Sequence, residues 1–85
     1  MSWDIAWTEE ALKEVDHLDR RTKERILNAI ERLASIEHGD VKRLRGHDAE
    51  WRLRVGKWRV RFVFHRASRT MTILHVLPRG SAYRD

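Results

Sequence analysis

Eighty-five residues carrying a formal net charge of +5 amount to one small domain, residues 1–85, long enough for a single core and too short for a second. The absence of cysteine excludes disulfides and thiolate metal sites and removes any argument for an oxidising compartment. No basic leader followed by an apolar run is present, and no stretch approaches a membrane span, so the expected setting is the cytoplasm with no membrane partner.

The charge is unevenly placed. Residues 1–38 hold six Lys/Arg against nine Asp/Glu, whereas residues 39–85 hold twelve against four. A basic second half of this kind points to nucleic acid or to an acidic protein partner, because long-range fields and counterion release favour polyanions.

In chain order, Trp3-Asp4-Ile5-Ala6-Trp7 alternates as a short strand does, with Trp3, Ile5 and Trp7 on one face. Thr8 is placed to cap a helix whose first turn holds Glu9 and Glu10, where the helix dipole favours negative charge, and Ala11, Leu12, Val15 and Leu18 follow at helical spacing. Asp19 can cap a second, longer helix with Ile26, Ala29, Ile30 and Leu33 on its buried face, and Gly39 is placed to close it. The segment 41–48 reads as a basic loop anchored by Leu44.

From Glu50 onward the pattern alternates. Trp51, Leu53 and Val55 share one face of a strand while Arg52 and Arg54 share the other. Gly56-Lys57 fits a two-residue hairpin loop, which opposes Val55 to Trp58, Arg54 to Arg59, Leu53 to Val60 and Arg52 to Arg61. Strands are predicted near 50–56, 58–65 and 70–77. The last is apolar on both faces through Met71, Ile73, Leu74, Val76 and Leu77, as a strand with two neighbours should be. The fold class is α+β: strand, helix, helix, then three antiparallel strands, with the helical hairpin packed on one face of the sheet.

Arginine opposite arginine destabilises a sheet, so the face carrying Arg52, Arg54, Arg59 and Arg61 implies an anion to be met there. A solvated outer face is the plainer account of the same residues. The histidines show no short ligand spacing, and the basic half has no acidic cluster for a hard cation, so neither a metal nor another cofactor is expected. The remaining chemistry suits attack of a ribose 2′-hydroxyl on its neighbouring phosphodiester, in which arginines hold the phosphate and stabilise its growing charge while other groups move protons.

Leu44-Arg45-Gly46, Trp51-Arg52-Leu53-Arg54-Val55, Trp58-Arg59-Val60-Arg61-Phe62 and Arg79 followed by Tyr83 together resemble the RelE/ParE superfamily of bacterial toxins, over nearly the whole chain. The resemblance implies the toxin of a type II toxin–antitoxin pair. RelE-type members are ribosome-dependent mRNA endonucleases (mRNA interferases), and ParE-type members are DNA gyrase poisons. The RelE-type site maps onto Arg52, Arg54, Arg59, Arg79 and Tyr83, a set that ParE-type members generally lack in full. By this resemblance Arg59 stabilises the transition state, Arg79 serves the leaving side and Tyr83 stacks on the nucleotide. Lys42, Arg43, Arg45, Lys57 and Arg61 would form an RNA-binding rim, or simply a solvated one.

This chain departs from the best-known RelE-type pattern by carrying arginines where lysines stand, one of which is proposed as general base; arginine holds its proton too tightly for that task. Glu50, His47 and His75 are the alternatives for the base, with His75 also readable as a satisfied core residue. Pro78 stands where many relatives carry histidine. The partners implied are a cognate antitoxin, the ribosome with its mRNA, and operator DNA through the antitoxin complex. Two other readings are a ParE-like gyrase inhibitor and an inert homologue that acts only within an antitoxin–DNA complex.

Overall fold

The computed structural model describes residues 2–44 and 49–80. In chain order the elements are β1 (Asp4–Trp7), α1 (Glu9–Asp16), α2 (Arg20–Ile36), β2 (Asp40–Arg43), β3 (Glu50–Val55), β4 (Trp58–His65) and β5 (Thr70–Pro78). They build one sheet in the order β1-β5-β4-β3-β2, with β1 parallel to β5 and every other pair antiparallel. β5 thus has a neighbour on either side, as its two apolar faces predict.

The helices start where their caps predict. The Thr8 side chain accepts from the Ala11 amide and the Asp19 side chain from the Thr22 amide, each satisfying a donor that the first turn would leave unpaired. α2 ends differently from its predicted close at Gly39: Glu37 takes the left-handed C-cap conformation, at φ 54°, and its amide bonds the Leu33 carbonyl. Gly39 serves packing instead, since a Cβ there would stand 2.9 Å from Leu53 Cδ1.

The buried faces of both helices, through Ala11, Val15, Ile26, Ile30, Leu33 and Ala34, meet Leu53, Val55, Val60, Phe62, Met71, Ile73 and Val76 from β3, β4 and β5. Trp3, Trp51 and Phe62 gather around Phe64, with ring centroids 4.5, 6.1 and 5.1 Å away from it. All four tryptophans pack against this core while remaining partly exposed.

A further difference from the sequence reading is β2. The predicted loop over 41–48 contains a strand, Asp40–Arg43, that pairs with β3 and makes the sheet five-stranded. Every residue of β2 is exposed, so backbone pairing rather than burial holds it, and Leu44 follows as the predicted anchor, buried to 8% exposure. No helix among the described residues is long and apolar enough to cross a membrane.

The Asp19 cap makes a titratable contribution. Hydrogen bonds from the Thr22 side chain first, and from its amide second, hold the Asp19 carboxyl below its ordinary value. A depressed folded-state value means stability that is present above the unfolded-state value and lost as pH falls through the folded one. Asp19→Ala should therefore lower the urea midpoint at neutral pH, with the gap to the parent narrowing in strong acid.

Candidate functional site

The β3–β4 register matches the predicted one pair by pair: Val55 opposes Trp58, Arg54 opposes Arg59, Leu53 opposes Val60 and Arg52 opposes Arg61. Gly56 occupies the turn at φ 59°, a left-handed conformation that costs glycine little. The four arginines accordingly share the face of the sheet turned away from the helices.

Their charges are met in part from within, by two carboxylates that the expectation of an anion at this face left out. Asp40, opposite Arg54 on β2, reaches two of them: its carboxylate lies 3.0 Å from Arg54 Nε and 3.3 Å from Arg52 Nη1. Arg52 Nη1 also donates to the Asp40 carbonyl at 3.1 Å. Glu50 pairs with Arg61, taking Nε at 3.0 Å and also Nη2, in a pair whose side chains are only 22% and 8% exposed. Arg59 differs from the other three. It is 7% exposed, its Nη1 donates to the carbonyls of Gly56 and Trp58 at 3.0 Å each, and among the described residues no carboxylate lies within ion-pair distance of it.

β5 brings one more predicted residue to this face. Arg61 opposes His75 while Phe62 opposes Ile73, so Leu74 is an extra residue in the ladder, a β-bulge. Ile73 and Val76 both point into the core across it, and His75 is turned out beside Arg61. This overturns the reading of His75 as a core residue.

Two side chains at the start of α1 and along it secure the bulge. The Thr8 hydroxyl lies 3.1 Å from the carbonyls of both Ile73 and Leu74. Glu14 accepts from the Val76 amide at 2.9 Å, and its other oxygen stands 3.4 Å from His75 Nδ1. A carboxylate only accepts, so Nδ1 is the donor wherever this contact is a hydrogen bond.

The other predicted site residues are more dispersed. The Arg79 amide bonds the Lys57 carbonyl at 2.7 Å, which brings the start of the tail against the tip of the β3–β4 hairpin, and both side chains are exposed. Lys42 opposes Arg52 from β2, and Arg43 is exposed at the end of that strand. Tyr83, Arg45 and His47 lie outside the described residues. Among the described residues no group of His, Asp and Glu forms a metal site. Sequence reasoning missed Asp40 and Glu14: finding Asp40 required β2, and finding Glu14 required the bulge.

A helical hairpin laid on one face of this sheet, with a basic opposite face, defines the small toxin domain of type II toxin–antitoxin systems. The chain belongs to the family described as ParE toxin of the type II toxin–antitoxin system, parDE, whose family model matches residues 5–83, and so to the RelE/ParE superfamily. It is 29% identical over 89 residues to the protein RelE1 of Methanocaldococcus jannaschii, across all of this chain and 99% of that one. Its fold is similar to that of the archaeal RelE–RelB complex from Pyrococcus horikoshii, with TM-score 0.76 and 24% identity over 94% of this chain and 98% of that one. The toxin–antitoxin complex RelBE2 of Mycobacterium tuberculosis gives TM-score 0.80 and 21% identity over 93% and 100%.

The Glu50–Arg61 pair is a separable structural element of the site. Removing one partner of a largely buried pair strands the other charge, at a cost on the order of 3 kcal/mol. Glu50→Gln and Arg61→Met should each destabilise by about that amount, and the double variant should cost less than the two together. Chemical denaturation through the double-mutant cycle measures the coupling.

Proposed function

We propose that the chain is a ribosome-dependent mRNA endonuclease, the toxin of a type II pair, which cleaves by attack of the ribose 2′-hydroxyl on the adjacent phosphate and leaves a cyclic phosphate. The observation that carries the reading is Arg59, nearly buried among three other arginines and without a carboxylate partner among the described residues. A phosphate oxygen is the complement such a guanidinium lacks, and stabilisation grows as charge develops on that oxygen in the transition state. Arg52 and Arg54 would position the flanking backbone. Arg79 would reach the leaving oxygen from the tail, and Tyr83 would stack a splayed base.

For the proton on the 2′-hydroxyl, His75 is the best placed of the three candidates. Glu50 is occupied by Arg61, and His47 lies outside the described residues. His75 has its Nδ1 beside Glu14 and a position opposite Arg61, two pairs along the ladder from Arg59. Several solved RelE relatives are complexes with their antitoxins, which supports an antitoxin as the cognate partner of this chain; operator DNA would be reached through that complex. The cytoplasm, where ribosomes and antitoxin are met, is the proposed compartment.

The family match to ParE toxins favours a second reading, a gyrase inhibitor on the same fold. Induction in bacteria separates the two. The first reading expects protein synthesis to stop first, with cuts inside translated codons seen by primer extension. Stalled replication with translation intact would establish the second.

Arg59→Ala should lower cleavage of ribosome-bound mRNA by about a hundredfold to a thousandfold, as loss of one charge-stabilising donor does. His75→Gln should likewise slow cleavage of ribosome-bound mRNA, with RNA binding kept, if His75 takes the 2′-hydroxyl proton.

A further inference from the structure

A groove of about 410 Å³ opens on the helix side of the sheet edge, lined by Arg25, Asn28 and Arg32 of α2, His38, and the chain from Leu53 in β3 to Gly56 in the turn. Arg25 and Arg32 are seven residues apart on one helix and so face the same way, about 10 Å apart along its axis. Both are exposed, and among the described residues neither has a carboxylate within ion-pair distance. The single acid lining the groove, Asp40, is already shared by Arg52 and Arg54.

The groove is continuous with the arginine face at two points. Arg54 lines it while standing on the opposite face of β3, and its side chain is 55% exposed. Gly56 lies between two guanidiniums: its carbonyl accepts from Arg59 at 3.0 Å, and a Cβ at Gly56 would stand 2.8 Å from Arg25 Nη1. Positive charge therefore runs from Arg59 over the hairpin tip to Arg25 and on to Arg32.

We infer that this groove is a second binding track for the phosphate backbone of single-stranded RNA, continuing from the cleavage face around the β3–β4 tip. The inference rests on RNA being the substrate and extends the contact beyond the scissile phosphate. The polyanion is held by point charges without base readout, so affinity depends on salt and little on sequence.

The test is fluorescence anisotropy of the full chain with a labelled, 2′-O-methylated oligoribonucleotide, which cannot be cleaved, across a salt series. Arg25→Gln/Arg32→Gln should reduce the slope of log K against log salt by about 1.4, at roughly 0.7 per lost phosphate contact with a single strand. Arg20→Gln/Arg21→Gln, which removes the same charge from the first turn of α2, should leave the slope near the parent's.

Equal loss in both pairs would reduce the effect to net charge and overturn the track. So would an unchanged slope with Arg25→Gln/Arg32→Gln, including the case in which that pair instead loses affinity for an acidic peptide and marks a protein-docking groove. If Arg59→Ala still abolishes translation arrest while the groove variants bind RNA as the parent does, only the track fails. Replication arrest with no RNA binding by the parent chain would overturn track and cleavage together.

Discussion

The turn at Gly56-Lys57 sets the register on which the other features depend. Because side chains alternate strictly, a slip of one residue between β3 and β4 would carry Arg59 and Arg61 into the core and Val60 and Phe62 out of it. Gly56 at φ 59° lets the chain reverse in two residues, and Leu53, Val55, Val60 and Phe62 then hold the register by burial. The same turn supplies the Gly56 carbonyl that receives Arg59 and the flat surface that receives Arg25. A Cβ at this position would disturb the backbone and the seat of Arg25 together.

Stacking four arginines on one face has an electrostatic cost that the fold distributes unequally. Two unit charges about 5 Å apart repel by about 3 kcal/mol at an effective dielectric constant of about 20, several times the worth of an exposed ion pair. Asp40 and Glu50 offset three of the four charges, each reaching its arginines from a neighbouring position on the same face. Arg59 is the exception, and it donates instead to two backbone carbonyls. Structural pairing and an open electrostatic demand are thus separated residue by residue, although the four look equivalent in the alternation.

How far this was legible in the sequence follows from which forces leave a pattern. Burial does, so both helices, their caps, the three long strands and the hairpin register were readable from Thr8, Asp19 and the alternating run around Gly56. β2 was not, because Asp40–Arg43 is exposed throughout and is a strand only through ladder bonds to β3. Without β2 the role of Asp40 was hidden, and the arginine face looked more in need of an outside anion than it is. The bulge left a trace that strict alternation obscured: Ile73 and Val76 are both buried yet three residues apart, which requires one extra residue between them. Glu37 closes α2 in place of Gly39 because the helix ends where its buried face ends, at Leu33 and Ala34, and the cap follows within a turn.

The bulge also bears on how a shared fold can leave function to the site built on it. Here α1 contributes to that site without touching the arginines. Its cap residue Thr8 sits against the carbonyls of the bulge, and Glu14 takes the Val76 amide at an edge that β1 leaves open after Trp7. Those contacts favour the extra residue at Leu74, and the extra residue decides whether His75 faces the core or Arg61. The placement of the His75 ring beside Arg61 thus depends on two α1 side chains, Thr8 and Glu14. It could be gained or lost by changes at the helix while the sheet, its core and its basic face remain as they are.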